Sequence, residues 1–359
     1  MYKMQNYFEM IVLYCIRIFN GERSVYAILH MLKGKKSSQT IQDVHLFGLT
    51  NLLGTLPDIT RRQLEITVDK LLQSGLLIVL PQNGYYLITS IGQELLQQHV
   101  KKYPFPETLN GFRFQNRTQP YWSRLSLLIQ TISHIIHKQN RFYPIQRNFQ
   151  TQTWVKRYLA QNRQNRVEIG RHLFDELSTL LEKRPEKERA IFVKRLTGIH
   201  RIGSTYSQIS KELHEDEWYV RYLFLGTIHF MLQEFDDSSV QYPYLYSIIK
   251  DIQGNSHTQL TNSTQMTLKY LQTGKSLEEI AFIRRLKRST IEDHIVELAY
   301  SDPLFNISRF MSQKIEEVIR IASKTSRTKQ LRAIKEIVAN DEISFFQIRL
   351  VLAKAGDDQ

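Results

Sequence analysis

One cysteine, Cys15, occurs in 359 residues. A lone thiol excludes an intramolecular disulfide framework and a cysteine-rich zinc site. Set in an apolar run, it reads as a small core residue rather than a nucleophile. Long hydrophobic runs are missing too. The longest near the start, Met10–Ile16, stops at Arg17 and is too short to span a bilayer. With Glu9 ahead of it and no small-residue cleavage site, it is a poor signal peptide. There is no Gly-rich phosphate loop of the GxxxxGKS/T type, no GxGxxG after a strand and no GxSxG elbow. His134 and His137 offer half a metal site at most, with no carboxylate or cysteine beside them. The expectation is a soluble cytoplasmic protein that is not an enzyme and holds no cofactor or metal.

Acidic residues are scarce in one stretch. The formal net charge is +13 overall, and residues 101–172 alone hold 13 basic residues against Glu107 and Glu168. Residues 1–100 and 255–359 carry only +2 and +3. A basic chain is drawn to phosphate or to acidic surfaces. In the middle block, GFRFQNRTQPYWSR, KQNRFYPIQRNFQTQTWVKRY and QNRQNR interleave Arg and Lys with Phe, Tyr, Trp, Asn and Gln. Guanidinium groups pair with phosphate, aromatic faces stack on bases, and amides bond to either. The same residue types anchor protein interfaces. A solvated basic face over an aromatic core is a third reading. Arg113, Arg117, Arg141, Arg147, Lys156 and Arg157 are the candidate DNA contacts of this block, mainly to the phosphates of single-stranded or structured DNA.

The punctuation of the chain implies a mainly α fold in three parts: a winged-helix-like domain over 1–100, a basic, aromatic-rich helical domain over 101–255, and a helix-turn-helix domain over 256–359. In the first part, three helical patterns end at Gly34, Gly48 and Gly75, the second opening on Ser and the third on Thr60. Two β-prone runs then flank Asn83-Gly84, a hairpin signal. Helix, helix, helix, hairpin is the winged-helix order. The helix before the hairpin would present Arg61, Arg62 and Gln63 at its start, with Arg61 and Arg62 the candidate DNA contacts. Residues 101–120, with three prolines and a glycine, read as a linker. From Tyr121 to about Phe235 the pattern is helical, with a polar break at His214–Glu217. Residues 236–262 read as a turn-rich boundary.

The sharpest motif is GKSLEEIAFIRRLKRSTIEDHI, residues 274–295. A helix over Thr261–Thr273 ends at Gly274. Ser276 caps a second helix, with Glu278 and Glu279 in its first turn, where the helix dipole favours negative charge. Ile280 and Ala281 face inward, and Leu286 is the buried turn residue. Ser289 is expected to cap the third helix, whose stripe is Ile291, Ile295 and Leu298. Arg285 stands where such a turn usually has glycine, so the turn is either less ideal or shifted by a residue. Lys287, Arg288, Ser289, Thr290 and His294 are candidate donors to phosphate or base edges. Glu292 and Asp293 can only accept and would repel the backbone, which makes them candidates for a protein partner instead.

This motif, with the distal DEISFFQIRLVLAK, resembles the helix-turn-helix module that closes some RecQ-type DNA helicases. It also resembles the end of the stand-alone YpbB-type proteins of Gram-positive bacteria, which LKGKKSSQTIQD near the start and the overall length fit as well. The resemblance implies an accessory DNA-binding protein, nucleoid-associated, that partners a RecQ-like helicase in DNA repair or replication-fork handling. Two other readings stay open: a regulator that reads a specific operator, and an adaptor that binds only proteins. Nothing in the sequence fixes the oligomeric state.

Overall fold

The computed structural model describes residues 6–139, 141–161, 165–252, 260–302, 304–326 and 328–355. The fold is mainly α. Helices α1 (Tyr7–Phe19), α2 (Val25–Leu32), α3 (Ser38–Leu46) and α4 (Arg61–Gln73) lead to a hairpin of β1 (Leu77–Val79) and β2 (Tyr86–Ile88), followed by α5 (Ser90–Lys102). The hairpin is antiparallel and pairs Leu77 with Ile88 and Val79 with Tyr86. Its turn uses Gly84 at φ +81°, a conformation that suits a residue without Cβ. The middle of the chain supplies α6 (Gly111–Ile136), α7 (Phe149–Gln161), α8 (Arg166–Glu182), α9 (Glu186–Lys194), α10 (Tyr206–Leu213), α11 (Glu217–Ser238) and α12 (Pro243–Ser247). The end supplies α13 (Asn262–Gln272), α14 (Leu277–Arg284), α15 (Arg288–Ser301), α16 (Gln313–Thr325), α17 (Leu331–Val338) and α18 (Phe345–Ala355).

Three consecutive domains are not what the contacts form. They group the chain into two compact units, one of Met1–Ile11 with Leu95–Gly254, the other of Val12–Glu94 with Asn255–Gln359. The winged-helix-like segment and the helix-turn-helix segment therefore belong to one unit. The expected boundary at 255/256 lies outside the described residues.

In the unit that holds the middle of the chain, α11 is buried along most of its length and packs against α6, α9 and α10. Trp122 meets Phe224 edge-on at 4.8 Å, a favourable aromatic geometry. The linker expected over 101–120 is partly helix: α6 begins at Gly111 and carries Pro120 inside it. Proline there removes a backbone donor and costs about 3 kcal/mol in an isolated helix. Burial of Phe114, Tyr121, Trp122 and Leu125 on the same helix offsets that cost. Composition flagged the breaker and missed the apolar stripe around it. The turn-rich boundary expected over 236–262 also gives way in part, because α11 runs on to Ser238 and α12 follows. Glu176 of α8 accepts from the free N–H groups of Tyr244 and Leu245, at 3.0 and 2.8 Å, and so anchors the first turn of α12.

The other unit is built around α15, which is flanked by α3, α13, α14 and α18. Ile280, Ile291 and Ile295 are fully buried there, with Leu298 and Ile348 beside them. Glu297 is buried in the same core. It accepts from the backbone N–H of Thr261 at 2.5 Å and from the Thr264 hydroxyl at 2.6 Å, and so ties α15 to the start of α13.

Candidate nucleic-acid interface

The turn of the helix-turn-helix forms where the sequence places it. The Ser276 hydroxyl accepts from the N–H of Glu279, and the Glu279 carboxylate accepts from the N–H of Ser276 at 2.7 Å, a reciprocal cap. Arg285 takes the left-handed conformation itself, at φ +52° and ψ +43°, so the turn is not shifted. A side chain in that region costs about 1–2 kcal/mol. Arg285→Gly should therefore stabilise this unit by about 0.5–1 kcal/mol, after glycine's greater unfolded freedom is set against the relief. Urea denaturation reads the difference, and an unchanged midpoint counts against strain at this turn.

Ser289 does not cap the third helix. Lys287 holds the N-cap position and α15 begins at Arg288, leaving Ser289 exposed inside the first turn. Lys287 and Arg288 are exposed as well, and Thr290 is half-buried. Arg288 is engaged within the unit, with Glu278 at 2.7 Å and Glu292 at 3.1 Å. His294 is buried and meets the Thr267 hydroxyl at 2.8 Å, which removes it from the candidate DNA contacts. The acidic pair has partners in the chain too. Asp293 pairs with Arg349 at 2.6 Å, and Arg349 also donates to Gln42 of α3 at 2.9 Å. Glu292 and Asp293 thus face the protein's own arginines.

The reason for this inward use of α15 is α3. Its residue His45 stacks on Tyr300 of α15, ring centroids 4.5 Å apart. Lys329 adds a bond from its Nζ to the Leu46 carbonyl. From Ile291 onward α15 is largely buried, with Glu292, Asp293, Tyr300 and Ser301 half-buried, and its first turn is the most exposed part. A helix lies in the major groove only if it offers the groove an exposed face. This one offers an N-terminal tip.

Three buried imidazoles are held neutral. Burial lowers the pKa of His45 to about 4 and that of His229 to about 3. His294 falls to about 4, first through burial and then through the nearby Arg284 guanidinium. Each native value lies below the unfolded one of about 6.5, so the unfolded chain binds protons first as pH falls. Stability should be full above about pH 6.5 and should decline towards pH 4. Scanning calorimetry tests this, and a melting temperature that rises on acidification contradicts it.

On α4, Thr60 and Gln63 form a second reciprocal cap. Arg61 is exposed but occupied, bonding Glu65 at 2.7 Å and lying 4.5 Å over the Tyr26 ring. Arg62 is exposed.

The basic middle block divides sharply. Arg117 is 7% exposed and clamped to Asp236 at 2.7 Å, with Arg113 on the same carboxylate at 2.9 Å. Neither is free to hold DNA, which corrects that expectation. Arg141, Arg147, Lys156 and Arg157 are all exposed, and none has an ion-pair partner among the described residues. Within the stretch QNRQNR, residues 162–164 lie outside the described residues. His134 is buried and stacks on Phe142 at 4.4 Å, while His137 Nδ1 lies 2.8 Å from the Ser133 carbonyl. Among the described residues no group of three potential ligands converges on a metal position.

Sequence reasoning did not single out Tyr143 and Phe149, which stand in solvent beside the four free cations, 97% and 80% exposed. Three aromatics in a proline-bearing stretch without helical spacing, RFYPIQRNF, were the available signal.

Residues 263–352 match a family described as a helix-turn-helix domain, which supports DNA binding. Across its length the chain is similar to protein YpbB of Bacillus subtilis strain 168, 35% identical over 351 residues, or 97% of each chain. No solved structure gives a significant match.

Proposed function

The chain belongs to the YpbB family, and from that membership we propose a non-enzymatic DNA-binding protein that grips phosphate without reading sequence and partners a RecQ-family helicase in DNA repair or replication-fork handling at the nucleoid. One observation carries the DNA reading: Arg141, Arg147, Lys156 and Arg157 are exposed and have no ion-pair partner among the described residues. Fixed cations with no internal partner release condensed counterions when they meet a phosphate backbone, which gives affinity without sequence preference. The engagement of Arg288 by Glu278 and Glu292 argues against an operator-reading regulator, because base edges are read by side chains that stand free in the groove.

Support for the helicase partnership is the resemblance of residues 274–295 and 341–354 to the terminal module of some RecQ-type helicases. Tagged protein recovered from native cells should retain the helicase after nuclease treatment. Loss of the helicase on nuclease treatment would mean that the two merely share a DNA strand. Retention of the helicase with no DNA binding at low salt would leave the protein-only adaptor in place of the DNA reading.

A further inference from the structure

Large aromatic side chains are rarely left in water on an ordered segment, and Tyr143 is. Its backbone is fixed. The buried Gln130 side chain donates to the Tyr143 carbonyl at 3.1 Å and accepts from the Ile145 N–H at 2.9 Å, in the manner of a neighbouring strand. Phe142 turns in to stack on His134, so Tyr143 is held outward. Phe149 opens α7, directly after Asn148, whose side chain accepts from the Thr151 N–H at 3.0 Å and so caps the helix. Both rings are thus displayed from a fixed backbone, so a ligand meets only the cost of ordering the two side chains.

Further along α7, Trp154, Arg157, Tyr158 and Gln161 recur at helical spacing on one face. They line a cleft of about 400 Å³ whose other wall includes Tyr244, Lys250 and Asp251, the last neutralised by Arg124 at 2.5 Å. Trp154 and Tyr158 stack on each other at 5.1 Å, and Arg124 lies 4.5 Å over the Trp154 ring. Aromatic walls with cations at the rim make a seat for a flat ring that carries a phosphate.

We propose that residues 141–161 bind single-stranded DNA, with bases stacking on Tyr143 and Phe149 and one unstacked base entering the cleft beside Trp154 and Tyr244. This rests on the DNA reading above and adds what kind of DNA. The free cations select a polyanion. The displayed rings select a strand whose bases are not already stacked in a duplex, because every base offers a π-face only when unpaired from its neighbours. A helicase produces such a strand.

The test is fluorescence anisotropy of the full chain on a labelled dT oligonucleotide and on a duplex of equal length. Tyr143→Ala with Phe149→Ala should weaken binding to the single strand by about tenfold or more. Duplex binding and the salt slope should stay unchanged, since no cation is lost. Both residues are exposed, so the fold should survive, and circular dichroism checks it. In the unmodified protein, dT binding should quench tryptophan fluorescence, and Trp154→Phe should abolish the quench. Equal loss on single strand and duplex, or no loss on either, overturns the stacking and leaves phosphate binding intact. Tighter binding to a uridine oligoribonucleotide than to dT overturns the assignment to DNA. No retention on any nucleic acid at low salt overturns the DNA reading itself.

Discussion

Replacing Arg141, Arg147, Lys156 and Arg157 together with Gln should abolish most of the protein's affinity for DNA. Each phosphate contact contributes close to one unit to the slope of log affinity against log salt. Loss of four contacts should flatten that slope by about 3 and weaken binding by roughly a hundredfold or more at moderate salt. None of the four side chains takes part in an ion pair among the described residues, so their neutralisation breaks none there. Lys287→Gln with Arg288→Gln is the comparison. Arg288 already faces Glu278 and Glu292, so this pair should change the slope by about one unit or less. Filter binding across a salt series separates the two. If the second pair has the larger effect, the tip of α15 is the DNA surface.

Ile291→Asp should unfold the unit that contains it. Ile291 is fully buried at the centre of that core. A carboxylate there has no partner, and an unpaired buried charge costs about 3–5 kcal/mol, a large fraction of an ordinary domain's stability. The loss should not stop at the helix-turn-helix. Because α3 packs on α15, hydrogen exchange should rise in residues 12–94 as well as in residues 260–355. Exchange confined to 260–355 would show that the last segment folds by itself, as its sequence suggests.

Local signals were legible. The reciprocal caps at Thr60 and Ser276, the left-handed glycines at 75, 84 and 274, and the hairpin all follow from residues within a few positions of one another. What the sequence hid was long-range. The charge of residues 101–172 overstates the free surface because Asp236 and Asp251, more than a hundred residues away, take Arg113, Arg117 and Arg124. His294 has the spacing of an exposed contact, but the helix face it shares is set by α13, which no count along α15 reveals. Asp293 looked unsatisfied because Arg349, 56 residues on, could not be paired with it by pattern alone, whereas Arg288 and Glu292, four apart on one helix, could have been. Periodicity could not place Tyr143 outside, since it assigns faces only within regular elements.

The unit that joins Val12–Glu94 to Asn255–Gln359 also sets a timetable for synthesis. When α3 leaves the ribosome, the surface it will cover has not been made. Roughly 310 residues still separate it from the end of α18, which at about 5–20 residues per second is a wait on the order of fifteen to sixty seconds. During that interval His45 and Leu46, which close onto the distal segment, are open to misfolding and to chaperones. The intervening unit is complete in sequence by Gly254 and has time to fold first. Slowing translation past residue 254 should therefore lengthen the exposure of the N-terminal helices without affecting the middle of the chain.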